Sequence, residues 1–379
     1  AAAMALAVEN SWPPDAPLDG LVITRYGHQL PTRRIKVVEA GHPIPDQNGE
    51  QTARHMLSAV KTLGAEDLLL CLLSGGGSSL LALPIDGISL HDLQQITHQL
   101  LCCGASIQEI NTVRKHFSAI QGGKLAAACK APIRALIISD VTGDEATHIA
   151  SGPCTPDPTT FSDALAVLEH YHLNVPPVVK QKLLAGKNQQ LDETPKPGSP
   201  IFTKVANKII ASAHQSLSAA ADYFQRHQIS ALILGDTVTG ESREIAKGYA
   251  ALVKEIRFHP QSLKAPIALL SGGETTVTIK GKGRGGRNTE FLMSLLIELA
   301  GMEDVYALAC DTDGIDGTEN NAGAIITPDS LMRAKQLGLS AQILLDNNDA
   351  YTFFQQLNDL VITGPTYTNV NDFRVILIL

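Results

Sequence analysis

The stretch Ala268–Glu290 has the sequence ALLSGGETTVTIKGKGRGGRNTE, and it sets the expectation for the whole chain. An apolar run stops at two glycines, the carboxylate of Glu274 follows at once, and a loop with four glycines and three cations leads to Asn288. Asn288 is predicted to be the N-cap of a helix over Phe291–Ala300. Glycines let a backbone approach a ligand, a helix N-terminus adds partial positive charge, and cations suit a polyanion such as a phosphate chain. With a carboxylate suited to a metal ion or a hydroxyl, the stretch predicts half of a phosphoryl-transfer site.

The same loop has two other interpretations. Gly281, Gly283 and Gly286 have the Gly-x-Gly-x-x-Gly spacing of a dinucleotide-binding loop. Such a loop usually follows a buried apolar strand, whereas residues 275–280 (TTVTIK) alternate like a half-exposed strand. A surface hairpin with solvated charges is the third interpretation, so the rest of the chain has to decide.

Composition and charge exclude several classes of protein. The chain has 379 residues, enough for two domains, and its net charge of −8 without a long basic run argues against nucleic acid as a partner. No apolar run is long enough to span a bilayer, and no signal-peptide pattern is present. Six cysteines without a C-x-x-C pair, and no histidine spacing typical of zinc, predict a reduced cytoplasmic protein without disulfides or zinc. Because the chain starts within a helical pattern, residues are expected to precede Ala1.

Strand and helix patterns alternate along the chain, and polar motifs follow the carboxyl ends of the strands. This order predicts a parallel α/β architecture, in which ligands bind beyond those strand ends. The polar, proline-rich stretch Gly186–Pro200 is the best candidate for a linker. We therefore predict two α/β/α domains, 1–200 and 201–379, with largely parallel Rossmann-like sheets.

Two further groups of residues are candidates for chemistry. Ser74–Ser79 (SGGGSS) lies between a buried strand and a helix, where it forms either an anion cradle or a structural tight turn. The adjacent cations Arg114 and Lys115 either contact a substrate anion or lie on a solvated helix face.

Five aspartates lie on two loops after strands, where they either hold Mg²⁺ and accept a hydroxyl proton or serve in turns and caps. They are Asp140, Asp144, Asp311, Asp313 and Asp316. Asp313 is the first choice for chemistry, whereas Asp311 and Asp316 have the pattern of turn formers.

Taken in order, the motifs of this chain resemble the glycerate 2-kinase family, whose C-terminal part is known as the MOFRL domain. The motifs that carry the resemblance are YGH (26–28), EAGHPIPD (39–46), LSGGGSSLL (73–81), NTVRKHFS (111–118), QGGK (121–124), SDVTGD (139–144), ASGP (150–153), SGGET (271–275), GRGGRNTE (283–290), DTDGIDG (311–317), NND (347–349) and TGPTYTNVND (363–372). The resemblance implies two α/β domains with the active site in the cleft between them. It also implies transfer of the ATP γ-phosphoryl group to the 2-hydroxyl of D-glycerate, with Mg²⁺.

The resemblance assigns roles by motif. The residues implied to be catalytic are Arg287, Asp313, Glu274, Asp144 and Asp140, and Asp313 and Glu274 are also the predicted Mg²⁺ ligands. The predicted contacts to substrate or nucleotide are Ser74, Gly75, Gly76, Gly77, Ser78, Ser79, Arg114, Lys115, Gly285, Gly286, Asn288 and Asn369. The expected partner is a small hydroxy acid, and the oligomeric state is left open, a homodimer included.

Two alternatives to the kinase stay open. Some members of the family are labelled hydroxypyruvate reductase, which would use NAD(P) at the Gly281–Gly286 loop. The family also has a lysine in a Gly-Lys-Ala motif that would fall just before Ala1, so a binding protein with impaired catalysis is the second alternative.

Overall fold

The computed structural model describes residues 1–141, 143–260 and 263–379. Thr142, in the middle of the SDVTGD motif, therefore lies outside the described residues. The chain divides into two compact units, Ala1–Ile210 and Ala211–Leu379. The first unit extends beyond the predicted boundary at residue 200 because the strand Val205–Ala211 joins one of its sheets.

Strands and helices alternate in both units. The strands are β1 (Gly20–Arg25), β2 (Ile35–Ala40), β3 (Leu69–Leu73), β4 (Ile133–Ile138), β5 (Val205–Ala211), β6 (Ser230–Glu241), β7 (Ile267–Thr276), β8 (Val305–Asp311), β9 (Gly323–Ile326), β10 (Leu360–Val361) and β11 (Asp372–Ile378). The helices are α1 (Ala2–Ser11), α2 (Gln47–Thr62), α3 (Gly77–Leu80), α4 (Leu90–Cys102), α5 (Ile107–Phe117), α6 (Lys124–Ala128), α7 (Phe161–His170), α8 (Pro177–Lys187), α9 (Ala213–Arg226), α10 (Ser242–Phe258), α11 (Arg287–Leu299), α12 (Ser330–Gln336), α13 (Ala341–Asp346) and α14 (Ala350–Leu357). No described helix is both long enough and apolar enough to cross a membrane.

The first unit has two small sheets. β1 pairs in parallel with β2, and β3, β4 and β5 form a second sheet in that order, with β3 parallel to β4. Parallel strands end at the same edge of a sheet, so the segments that follow β3 and β4 are neighbours. Ser74–Ser79 follows β3, and Asp140 follows β4 close enough that a Cβ atom on Gly75 would clash with its carboxylate.

The second unit is built on one six-stranded sheet in the order β10-β9-β8-β11-β7-β6. The predicted α/β class is confirmed, but this sheet departs from the largely parallel arrangement expected for it. Only β6 and β7 are parallel, while the other four pairings are antiparallel. The reason is that β11 runs back between β7 and β8, and that β9 returns beside β8 without a crossover helix.

Side chains of the central strands alternate between two apolar layers. Leu269 of β7 belongs to the large core formed with α10 and α11, whereas Leu270 packs with Leu217 of α9 on the opposite face. A sheet buried on both faces explains the continuous apolar run at the end of which Glu274 stands. The polar residues at the end of this apolar run, Glu274 among them, therefore lie at the rim of a packed core.

Candidate functional site

The side chain of Arg287, the first residue of α11, connects three strands of the second sheet. Its Nε donates to Oδ1 of Asp372 at 2.7 Å, its Nη1 to Oε1 of Glu274 at 3.1 Å and its Nη2 to Oδ2 of Asp311 at 2.7 Å. These carboxylates come from β11, β7 and β8, which are adjacent in the sheet, and Asp372 lies in register with both Gly273 and Asp311. The structure therefore brings together Arg287 and Glu274, and it adds Asp311, which was expected to form a turn, and Asp372, to which the prediction gave no role.

The carboxylates keep Arg287 charged. Burial opposes the charge, but Asp372 and Asp311 more than offset it and raise the pKa of the guanidinium above its usual value. Burial also raises the pKa of Asp311 to about 7, despite the neighbouring guanidinium. The site thus holds a cation beside a carboxyl group whose pKa is raised by burial, and perturbed pKa values of this kind are common in catalytic sites.

The Asp372 carboxylate also accepts hydrogen bonds from three groups other than Arg287. Its Oδ1 also accepts from Nδ2 of Asn288 at 2.8 Å, and its Oδ2 accepts from Nη2 of Arg374 and from the amide of Thr275 at 3.4 Å. Arg374 lies 5.1 Å from the centre of the Phe291 ring and is 1% exposed. The sequence carries a signal for this arrangement, because an arginine within an apolar terminal strand must have a partner.

The helix α11 begins one residue earlier than Asn288, and a distant side chain caps it. Asp316 accepts from the amides of Asn288 and Thr289, both at 2.9 Å, and from Oγ1 of Thr289 at 2.8 Å. Burial raises the pKa of Asp316, while these amide donors oppose the shift. The prediction that Asn288 is the N-cap is wrong, and its side chain is fully buried against Asp372 rather than available for a ligand.

The backbone of the glycine-rich loop faces another segment of the chain. The amides of residues 280–284 donate to Asn347, Asn348 and Asp349 at distances of 2.8–3.1 Å. A Cβ atom on Gly283 would lie 2.6 Å from Cα of Asp349, so only glycine permits this contact. These amides are therefore not directed at a ligand, and the phosphate cradle expected of them is not formed in this structure.

The two remaining glycines of that prediction are also packed against the protein. A side chain on Gly286 would overlap Asp316, and its amide donates to Oγ1 of Thr289 at 3.0 Å. A Cβ atom added to Gly285 would lie 3.2 Å from the amide nitrogen of Tyr351. Close approach between parts of the chain accounts for both glycines.

Asp313 and Asn369 lie on two loops that are hydrogen-bonded to each other. Oδ1 of Asp313 accepts from the amide of Ile315, and Oδ1 of Asn369 accepts from the amide of Asn371, both at 2.8 Å. The amide of Thr366 donates to the Asp313 carbonyl at 3.0 Å and joins the loops. Both predicted residues thus close local turns with one oxygen. No cluster of three or more potential metal ligands occurs among the described residues.

In the first unit, the Ser74–Ser79 segment is a compact turn. Oγ of Ser78 accepts from Ser151 at 2.8 Å, Oγ of Ser79 donates to the Gly76 carbonyl at 3.1 Å, and the helix α3, which begins within the segment at Gly77, has four residues. Added Cβ atoms on Gly76 and Gly77 would press against His42 and Ala150. The tight-turn interpretation explains these groups, and the neighbouring Asp140 carboxylate opposes an anion at Gly75.

The two cations of α5 differ in their surroundings. Lys115 is fully buried, and its Nζ donates to Oγ1 of Thr147 at 2.8 Å and to Oδ1 of Asp157 at 3.3 Å, so it stabilises the fold rather than contacting substrate. Burial lowers the pKa of Arg114 to about 10, and no described residue gives it a hydrogen-bond partner. The charge of Arg114 is also felt by His42, whose pKa is lowered by burial first and then by Arg25 and Arg114. Arg114 therefore remains a candidate for an anionic ligand.

Asp144 is the remaining residue of the first unit for which a catalytic role was predicted. It has a left-handed backbone with φ of 57°, its amide donates to the Val141 carbonyl at 3.0 Å, and its side chain is partly exposed. Its position follows from a turn, and its carboxylate stays accessible to a ligand.

Comparison with known proteins defines the class to which this two-unit α/β fold belongs. Residues 1–184 match a domain of unknown function (DUF4147), and residues 267–372 match the MOFRL family. The crystal structure of glycerate kinase from Thermotoga maritima superposes with a TM-score of 0.87 at 41% identity, covering 95% of this chain and 85% of that chain.

Curated relatives agree with the fold comparison. A D-glycerate 2-kinase from Thermotoga maritima is 41% identical, covering 95% of this chain and 84% of the relative. A protein named putative hydroxypyruvate reductase from Agrobacterium vitis is 47% identical, covering 100% of this chain and 85% of the relative. The chain belongs to the glycerate 2-kinase family with a MOFRL region, and the resemblance predicted from its motifs is confirmed.

Proposed function

We propose that the protein is a kinase that transfers the γ-phosphoryl group of ATP to the 2-hydroxyl of D-glycerate, giving 2-phosphoglycerate and ADP. The observation that carries this proposal is the guanidinium of Arg287, held at the rim of the sheet by three carboxylates. The relatives named as glycerate kinases support it. Glycerate metabolism in the cytoplasm belongs to the same proposal.

Charge neutralisation is the task that suits Arg287. In phosphoryl transfer the attacking hydroxyl oxygen bonds to the γ-phosphorus, the bond to the bridging oxygen of ADP breaks, and the hydroxyl proton passes to a base. Three of the five N–H groups of Arg287 are used by the carboxylates, which leaves donors for phosphate oxygens. The Glu274 side chain is 56% exposed, so its ion pair with Arg287 is weak and can be exchanged for a phosphate.

The carboxylates of Glu274 and Asp313 suit the remaining tasks. Carboxylate oxygens are ligands that Mg²⁺ accepts together with substrate phosphates, and the ion supplies positive charge to those phosphates. The same oxygens can accept a hydrogen bond from the glycerate hydroxyl and orient it. Arg114, Asp140, Asp144 and Asn369 are proposed as further contacts to substrate or nucleotide.

The test is a pair of conservative substitutions. Arg287→Lys keeps a positive charge but cannot reach three carboxylates and a phosphate together, so we expect kcat/KM for D-glycerate at saturating ATP to fall at least about 10²-fold. Arg333→Lys is the matched control, because Arg333 pairs with Asp329 and Asp359 in the same unit. The control should keep its turnover. A loss of less than about tenfold in Arg287→Lys, roughly 1.4 kcal/mol, would contradict the proposal.

The relatives named as putative hydroxypyruvate reductases call for a direct comparison of activities. In the loop that would bind a dinucleotide, the amides of residues 281–284 donate to residues 347–349 and that of Gly286 donates to Thr289, which argues against that use. We expect D-glycerate to consume ATP, and hydroxypyruvate to leave NADH or NADPH absorbance unchanged without ATP. Oxidation of either cofactor, with no consumption of ATP, would contradict the proposed kinase activity and support the reductase activity instead.

A further inference from the structure

Of the three carboxylates around Arg287, one differs from the others in burial. The side chains of Glu274 and Asp311 are 56% and 9% exposed, whereas that of Asp372 is 0% exposed. Exposed ion pairs contribute little, whereas removing one partner of a buried pair leaves an uncompensated charge and is strongly destabilising. The contact between Nε of Arg287 and Oδ1 of Asp372, at 2.7 Å, is therefore the one that can fix the guanidinium plane.

Asp372 cannot turn away from this contact without losing others. Each of its two oxygens accepts two hydrogen bonds: Oδ1 from Arg287 and Asn288, and Oδ2 from Arg374 and the Thr275 amide. The residue also begins β11, which is paired on both sides. Its carboxylate plane is thus set by the sheet, by the helix α11 and by a second arginine.

Arg374 places a second positive charge beside the Asp372 carboxylate in the core. It lies two residues further along β11, donates to Oδ2 of Asp372 and to Oγ1 of Thr275 at 2.9 Å, and covers the ring of Phe291. A buried carboxylate with one partly exposed arginine would be costly, whereas one between two arginines is better compensated. The order Arg287–Asp372–Arg374 runs from the rim of the sheet into its core.

We infer that Asp372 is a positioning residue for phosphoryl transfer, which aims the guanidinium of Arg287 from inside the sheet, with Arg374 fixing Asp372 in turn. The inference rests on the proposed function of Arg287. Asp372 is fully buried, so it acts through Arg287 and touches no substrate. Its loss should lower kcat more than it raises KM for ATP or D-glycerate, because a displacement of about 1 Å in a catalytic group can cost about 10²-fold.

The test is a double-mutant cycle of Arg287→Lys and Asp372→Asn, assayed with D-glycerate and ATP. If Asp372 acts through Arg287, each single variant loses about 10²-fold in kcat, and the double variant loses little more than either alone. Asp359→Asn is the matched control, because Asp359 is also buried and pairs with Arg333 at 2.7 Å in the same unit. It should be destabilised comparably and keep its kcat.

The variant Asp372→Asn leaves Arg374 buried without its partner, so a second variant guards against unfolding. Asp372→Asn with Arg374→Met removes both members of the buried pair, which is far less destabilising than removing one. It should melt close to the parent protein and still show the loss in kcat. Losses that multiply in the cycle, or a folded pair variant with parental kcat, would overturn the positioning role. Full turnover in Arg287→Lys would instead overturn the proposed function itself.

Discussion

Replacing Gly283 by alanine tests whether the glycine-rich loop is shaped for the protein or for a ligand. A Cβ atom there would lie 2.6 Å from Cα of Asp349 and 2.7 Å from the Asn347 carbonyl oxygen. Non-bonded carbon atoms are stable at about 3.5–4.0 Å, so one of the two segments must move by about 1 Å. This displacement would weaken the bonds from the Gly283 amide to the Asn347 carbonyl and from the Arg284 amide to Asp349.

The magnitude follows from these contacts. Overpacking costs about 1–3 kcal/mol, and each of the two weakened hydrogen bonds costs about 1 kcal/mol, so Gly283→Ala should lower the free energy of unfolding by about 3–5 kcal/mol. For a unit of this size each kcal/mol corresponds to about 2–4 °C in Tm. We therefore expect a clear fall in the melting temperature of the second unit, measured by calorimetry.

The matched control is Gly248→Ala on α10. No atom lies within 4 Å of its added Cβ, and alanine is favoured over glycine within a helix, so this variant should gain about 0.5–1 kcal/mol. If the loop were a ligand cradle built on free amides, Gly283→Ala would raise KM for ATP at unchanged Tm. That result would refute the structural explanation of the glycines.

Two further substitutions test the buried carboxylates. Asp157→Asn leaves Lys115 as an unpaired buried charge and should cost about 3–5 kcal/mol in urea unfolding at pH 7. Burial acts to raise the pKa of Asp157, but the opposing effect of Lys115 and of the hydrogen bonds from Thr159 is larger, so the pKa lies below its ordinary value. The carboxylate therefore stabilises the fold above its unfolded-state pKa and loses this effect as pH falls through its lower folded-state pKa. The gap between parent and variant should begin to narrow below about pH 4, and a gap that does not narrow on further acidification would contradict the pairing. Asp316→Ala uncaps α11 at Asn288 and Thr289 and should cost about 1–2 kcal/mol, with faster hydrogen exchange at both amides; unchanged exchange would rule out the cap.

Part of this site could be predicted from residues close together in sequence. Glu274 follows an apolar run and Arg287 stands at a helix start, so both were expected at the rim of a sheet, and both lie there. The α/β class followed from the same alternation of strands and helices. These predictions succeed because strand ends and helix starts are decided by local patterns.

The rest depended on partners remote in the chain. Glycine is required wherever a backbone approaches closely, and the sequence around Gly283 does not distinguish a ligand from residues 347–349. Residue type alone favours Asn288 as the cap of α11, but the cap is Asp316, which reaches the amides of Asn288 and Thr289 from another loop. Asp372 was part of a recognised motif, yet its role appears only when β11 is placed between β7 and β8.

The central position of β11 has a consequence for how the protein is made. This strand pairs with β7 on one side and β8 on the other, although it is synthesised after every other strand of its sheet. While the ribosome is still translating, the first unit has all its residues, but the second presents unpaired strand edges to other nascent chains. A prematurely released product would lack Asp372 and Arg374 and so could neither close its sheet nor aim Arg287. Truncated translation products should therefore be clients for chaperones and proteases rather than defective kinases.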